Sequence, residues 1–481
     1  MNNENFSPNL ARRAGGRRFP SLPAASIAFL LVAAYIAFAV SPWPAATSRQ
    51  TAAHSGPVRA LPAGNAPAAS TPPHAPKRTP SPSQAPAPQQ DILAVLARHQ
   101  PGENTIANEY LIRFQRLADL RAFLQQAPQH GLRVLDTSEA LRIVRFHAKD
   151  ITQARAFLNS IAAVDLRQNV AVETPDAPSP LLLAAPFSYR PFGSRALAWL
   201  GLNGERRPQG EGATVAVLDT GVLPHPALDP QRIVQIDLLP PEKGADSNGP
   251  LAGHGTAVAA LIAGNGEGGV TGVAPEAGIL AIRVLDAYGQ GDGFTVAKGV
   301  VAAVDNGAEI INLSLGSYGI SSALAAAVEY ALARGVVVVA AAGNDGRDEV
   351  MFPASHPGVV GVAAVDALSQ HLNFSNSGPG VDIAAPGFEV TTAWSDNTTV
   401  AFSGTSAAAP FVAGTIAALL SANPGLTPAE AARLALAYAN DAGPPGADHQ
   451  FGRGILNWQR IADRQTPGIY DLAVADYYLP A

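Results

Sequence analysis

Two hydrophobic patterns divide the folded part of this 481-residue chain. From about Asp91 onward, apolar and polar positions exchange at short intervals. "EYLIRF" (Glu109–Phe114) alternates like a strand, and "LADLRAFLQQAPQHG" carries apolar residues at helical spacing. "LRVLDTSEALRIVRFHA" holds two short strands around a turn, "ITQARAFLNSIAAV" predicts a second helix, and "RQNVAVETP" a last strand. The order βαββαβ is enough for a small open sheet with two helices on one face. From about Gly212 the pattern changes to near-continuous apolar runs: "ATVAVLD", "ILAIRVL", "EIINLSL", "GVVVVAAAG" and "VVGVAAV". Such runs are expected of parallel strands buried on both faces. Helices are predicted to begin near His254, Thr295, Ser321 and Ser406, with another at Thr427–Ala439. The fold class is therefore α/β, a doubly wound and mostly parallel sheet preceded by a small βαββαβ α+β domain.

The N-terminal pattern is different again. Arg12, Arg13, Arg17 and Arg18 precede an apolar run from Ala24 to Val40 whose only polar residues are Ser26 and Tyr35. At ~1.5 Å per residue that run spans roughly 26 Å, slightly short of a ~30 Å hydrocarbon core. It reads either as a signal anchor with its basic flank in the cytoplasm or as a signal peptide cleaved beside Ala37 and Ala39. Both readings export the rest of the chain, whereas a third, a buried soluble helix, does not. Residues 41–90 are dominated by Pro, Ala and Ser and read as an extended linker. The expected organisation is a basic segment 1–23, the apolar segment 24–40, the linker 41–90, the small domain 91–177, the α/β domain 190–465 and a tail 466–481 to which no role is assigned.

Composition narrows the chemistry. The formal net charge of -6, with no basic cluster in the folded part, argues against a nucleic-acid partner. With no cysteine in the chain, disulfides, thiolate nucleophiles and Cys-ligated zinc are excluded. Covalent catalysis would have to use oxygen or nitrogen.

Three short stretches supply such groups. "VAVLDTG" ends a buried strand in Asp219, "GHGTAVA" opens a helix at His254 between two glycines, and "FSGTSAAAP" opens another at Ser406. Taken singly they are a turn former, a structural histidine and a helix cap. Together they are the acid, base and nucleophile that activate a hydroxyl: the base removes its proton and the acid fixes the base's tautomer.

On these motifs, in the chain order Asp, His, Ser, the sequence resembles the subtilisin-like serine proteases, or subtilases. The resemblance runs from about Leu197 to Leu456, including "FGRGILN" (Phe451–Asn457), which is similar to the closing segment of subtilase domains. It implies that Asp219 orients the imidazole, His254 is general base and then acid, and Ser406 is the nucleophile. It further implies that Asn344 of "AAAGNDG" is the oxyanion donor. Ser314, Leu315 and Gly316 of "NLSLG" would form a pocket wall, and Gly289, Gln290 and Gly291 of "YGQGDG" an edge that binds an extended peptide by backbone hydrogen bonds. The pocket is expected to take large apolar side chains.

The activity implied is that of an exported serine endopeptidase working through an acyl-enzyme, made as a self-processed zymogen. Residues 91–177 would be a propeptide that assists folding and blocks the cleft, removed between about Pro175 and Ser194; a permanent accessory domain is the alternative. The partners expected are peptide or protein substrates, the chain's own propeptide, and the membrane through residues 24–40. Two rival readings are a catalytically silent peptide-binding module, and the acid-active relatives that share the GTS motif but use a glutamate base, which "GHGT" opposes.

Two positions depart from the family pattern. Ala407 follows the nucleophile where methionine is common, which predicts good tolerance of peroxide. "HPAL" places Ala227 where the family often has a calcium-binding aspartate. Asp229, Asn265 and Glu267 lie nearby, so a structural calcium stands beside plain surface loops as an alternative. The chemistry itself requires no cofactor, and no metal ligand is assigned.

Overall fold

A computed structural model describes residues 91–98, 104–175, 189–202, 209–239 and 249–464. The apolar segment 24–40, the linker 41–90 and the tail 466–481 lie outside the described residues. So do residues 176–188, where removal of the N-terminal domain was expected.

The N-terminal domain has the predicted βαββαβ order, with one short helix ahead of it. Its elements are α1 (Ile92–Arg98), β1 (Thr105–Phe114), α2 (Leu117–Gln126), β2 (Arg133–Ser138), β3 (Ile143–His147), α3 (Arg155–Ser160) and β4 (Ala163–Glu173). Strand alternation gives its sheet two different faces. Ile112, Phe114, Val144, Phe146 and Leu166 point into the domain's own core, where they meet Leu120 and Phe123 of α2 and Phe157 and Leu158 of α3. Leu111, Ile143 and Val172 point the other way, into a second core that belongs mainly to the α/β domain. One sheet thus serves two cores, and the two domains form one compact unit.

The α/β domain begins with α4 (Ala196–Trp199) and continues with β5 (Thr214–Asp219), β6 (Ile233–Asp237), α5 (His254–Ala263), β7 (Gly278–Arg283) and β8 (Gln290–Asp292). After these come α6 (Gly293–Asp305), β9 (Ile310–Leu313), α7 (Ser322–Leu332), β10 (Val337–Ala341), β11 (Val360–Val365) and β12 (Ile383–Pro386). The domain closes with β13 (Val390–Ala393), β14 (Thr399–Phe402), α8 (Thr405–Ala422), α9 (Pro428–Ala437) and α10 (Trp458–Asp463). Seven strands form one sheet in the order β12-β11-β10-β9-β5-β7-β6, and each neighbouring pair is parallel.

The central strands are mostly apolar because both faces of the sheet are covered. Val215, Val217, Ile279, Ala281 and Ile310 share a core with α5 and α8, while Ala216, Leu218, Leu280, Ile282 and Ile311 share the other with α6 and α7. Among the described residues, α8 is the helix long and apolar enough to cross a membrane, but 89% of it is buried inside the protein. It is the central core helix, and it carries Ser406.

Candidate active site

Asp219 is the last residue of β5 and His254 the first of α5. The His254 Nδ1 donates to the two Asp219 carboxylate oxygens at 2.8 and 3.0 Å. That bond fixes the neutral imidazole with its proton on Nδ1 and leaves Nε2 as the acceptor. Asp219 is fully buried, and the backbone N–H of Thr220 donates to its Oδ1 at 2.7 Å. The buried carboxylate therefore accepts hydrogen bonds from both the imidazole and the backbone, which lowers the cost of keeping it away from water. The Thr220 hydroxyl accepts from the Gly255 N–H at 3.1 Å and so ties the strand end to the helix start.

Glycines on both sides of His254 allow its approach. A Cβ on Gly255 would lie 2.3 Å from the Gly221 carbonyl oxygen, and one on Gly253 would lie 2.6 Å from the Trp394 ring. Phe402 packs edge-on against the imidazole at 5.3 Å between ring centres.

Ser406 is the second residue of α8 and 2% exposed. Pro410, four residues on, has no N–H and cannot bond the Ser406 carbonyl in the usual helical way. The Ser314 hydroxyl donates to that carbonyl instead, at 3.2 Å. In return the Ser406 hydroxyl donates to the Ser314 carbonyl at a long 3.5 Å, and it makes no hydrogen bond to the His254 ring.

Asn344 follows β10 directly after the turn at Gly343. Its Oδ1 accepts from both the N–H and the hydroxyl of Thr405, at 2.8 and 2.9 Å. The acceptor end is therefore committed, which sets the amide donor end on the opposite side. Gly404 has φ 135° and a Cβ there would come within 2.8 Å of Asn344 Nδ2, so only glycine fits the backbone between Asn344 and the serine. Thr405 holds the Asn344 side chain through these two bonds, a contact that sequence reasoning passed over. The Thr in "SGTS" is its only sequence signal.

The two segments expected to bind peptide, Gly289–Gly291 and Ser314–Gly316, face the same stretch of chain. β4 pairs antiparallel with β8, Val172 opposite Gly291 and Glu173 opposite Gln290. On its other side Glu173 exchanges two backbone hydrogen bonds with Gly316, at 3.1 and 2.9 Å, and the Thr174 N–H donates to the Gly289 carbonyl at 2.9 Å. The chain's own residues 172–174 thus lie as a strand between these two edges. Antiparallel register puts Pro175 opposite Ser314, where the next exchange of bonds would fall. Proline has no N–H to donate to the Ser314 carbonyl, and that carbonyl receives the Ser406 hydroxyl.

Charged side chains fasten the N-terminal domain nearby. Arg145 of β3 bonds Glu109 at 2.7 Å and Asp292 at 3.0 Å, while Asn169 donates to Asp292 at 2.9 Å. Asp292 also caps α6, accepting from the N–H groups of Phe294 and Thr295. Lys298 of the same helix reaches Asp136 at 2.8 Å.

Beside "HPAL" the side chains named as oxygen donors make other contacts. The Ala227 methyl is fully buried in the core. Asp229 accepts from Gln231 N–H and Asn265 is spent on Pro226 and Glu267. Among the described residues no three His, Asp or Glu side chains are grouped to hold a metal.

Comparison with known proteins assigns the chain to a family. The model of the subtilase family of peptidases matches residues 210–454. A thermostable alkaline protease of Halalkalibacterium halodurans is 42% identical over 250 residues, covering 52% of this chain and 67% of that protein. Alkaline elastase YaB of a Bacillus species is 33% identical over 353 residues, covering 73% of this chain and 90% of the relative. The crystal structure of fervidolysin from Fervidobacterium pennivorans superposes with a TM-score of 0.63 at 24% identity, covering 77% of this chain and 63% of that one, a likeness of fold. The chain belongs to the subtilase family and is a serine endopeptidase of that family.

Proposed function

We propose that Ser406, His254 and Asp219 hydrolyse extended peptides and that residues 91–177 hold the cleft shut until they are removed. The observation that carries this reading is the placement of the chain's own Val172–Thr174 between Gly289–Gly291 and Gly316. A substrate strand would make these same backbone hydrogen bonds.

In the reaction, the Ser406 Oγ attacks the substrate carbonyl carbon while its proton passes to His254 Nε2. The oxyanion is received by the Ser406 N–H and the Asn344 amide. The imidazolium, held by Asp219, gives the proton to the leaving nitrogen as the C–N bond breaks. Water then attacks the acyl carbon while the same imidazole takes its proton, and the imidazolium returns that proton to the Ser406 Oγ as the ester bond breaks, releasing the acid and restoring the serine.

Export is part of the proposal and rests on the basic and apolar pattern of residues 12–40. N-terminal sequencing of purified wild type and Ser406→Ala tests the self-processing. The expected result is a new N-terminus between Pro175 and Ser194 in the wild type and an unprocessed chain in the variant. Identical processing of both would contradict it.

A further inference from the structure

Two segments meet the chain at Ser406: Ser314–Gly316, through the bonds between Ser314 and Ser406, and Ala342–Asn344, through the bond from Thr405 to Asn344. Each contains a glycine, and both glycines face one side chain. A Cβ on Gly316 would lie 3.0 Å from Met351 Cβ and 3.6 Å from its Cε, and a Cβ on Gly343 would lie 2.9 Å from the Met351 Cγ and Sδ. The Met351 side chain therefore lies against both glycines, with the Asn376 amide beside it at Gly343. Met351 is 2% exposed.

Its backbone is fixed on both sides. The Met351 N–H donates to the Ala342 carbonyl at 3.0 Å, and the next residue, Phe352, exchanges bonds of 2.8 and 2.9 Å with Ser317. Methionine bends readily, but with its main chain tied to both walls it has no way to leave the space between them.

We propose that Met351 floors this pocket and limits the enzyme to peptides with a small side chain, such as alanine, serine or glycine, just before the cut. This rests on the protease reading above. It replaces the expectation of large apolar side chains, because an aromatic ring entering between the two segments would meet the thioether. The chain's own segment obeys the same limit. The residue opposite Ser314 is Pro175, a buried compact ring.

The test uses the processed enzyme and peptide anilides that differ only in the last residue: Ala, Leu or Phe. Wild type is expected to give a kcat/KM at least about 10-fold higher for Ala than for Phe, since pocket fit discriminates by ~10- to 200-fold for each group that does not fit. Met351→Gly is expected to shift the Phe-to-Ala ratio at least about 10-fold toward Phe. Equal cleavage of Phe and Ala by wild type overturns the proposal, as does an unchanged ratio in the variant. The wild-type series decides the matter even where Met351→Gly does not fold. Fluorophosphonate labelling of the same samples separates the two levels of the reading. A labelled enzyme that prefers Phe refutes only the pocket, whereas a folded, processed enzyme with neither label nor hydrolysis refutes the active site and the pocket with it.

Discussion

Asn344 is held through its acceptor end, and this decides what its replacement does. Alanine would remove the amide donor and also the two bonds that Oδ1 accepts from Thr405. The expected outcome for Asn344→Ala is a kcat lower by roughly 10²- to 10³-fold with KM little changed. A loss of stability of about 1 kcal/mol should accompany it, from the broken Thr405 contacts. Kinetics on the processed variant beside a denaturant melt check both, and a fall in kcat below tenfold would remove Asn344 from the oxyanion role. At this scale the sequence pointed to Asp219, His254 and Ser406 by residue type and motif, and the structure joins the first two directly. It was less legible where a residue acts by touching another. Met351 reads as an ordinary core residue until Gly316 and Gly343 are seen to face it.

Elements were legible in proportion to their burial. The five central strands stand out because both faces are covered, so most positions are apolar. The edge strand Ile233–Asp237 does not, because no residue of it is buried and the polar Gln235 and Asp237 interrupt the apolar run. Thr-rich β13 and β14 carry no apolar run, and β8, "QGD", has no strand propensity of its own and exists by pairing with β4.

One element carries a pH dependence of stability. His371 bridges to Val365 at the end of β11, with its Nε2 buried and unpartnered. Burial pushes its pKa down to about 4, against a smaller opposing pull from Asp448. Since the unfolded chain takes up this proton near the ordinary value of 6.5, it binds more protons than the folded one between the two values. Stability is complete above pH ~6.5 and falls as the pH drops toward 4, by about 2 kcal/mol at pH 5 from this group. His371→Asn should reduce the loss between pH 7 and pH 5 by that amount in urea melts. An equal loss in variant and wild type would contradict the assignment.

On the scale of the molecule, the N-terminal domain docks by three means: the apolar face of its sheet, the strand pairing of β4, and the ion pairs around Asp292. Arg145 stands between Glu109 and Asp292, with all three side chains less than 20% exposed. Its removal would leave two carboxylates facing each other across the interface. Arg145→Ala is expected to weaken the hold of the domain by about 2 kcal/mol, roughly 30-fold in affinity. The consequence is faster appearance of processed enzyme in a time course followed by gel, and an unchanged rate would mean that strand pairing and apolar packing alone set the hold. This interface was only half legible in the sequence. The small domain could be read from its alternation, but its docking depends on contacts between residues far apart, such as Arg145 with Asp292.

The most direct test of the account is the labelling of the expressed protein with a fluorophosphonate probe, wild type beside Ser406→Ala, with the adduct mapped by mass and the size of the labelled band recorded. The account predicts a single adduct on Ser406, in wild type only, on a band that has lost the N-terminal domain. Labelling of Ser406→Ala to the same extent, or of another residue in the wild type, would contradict it.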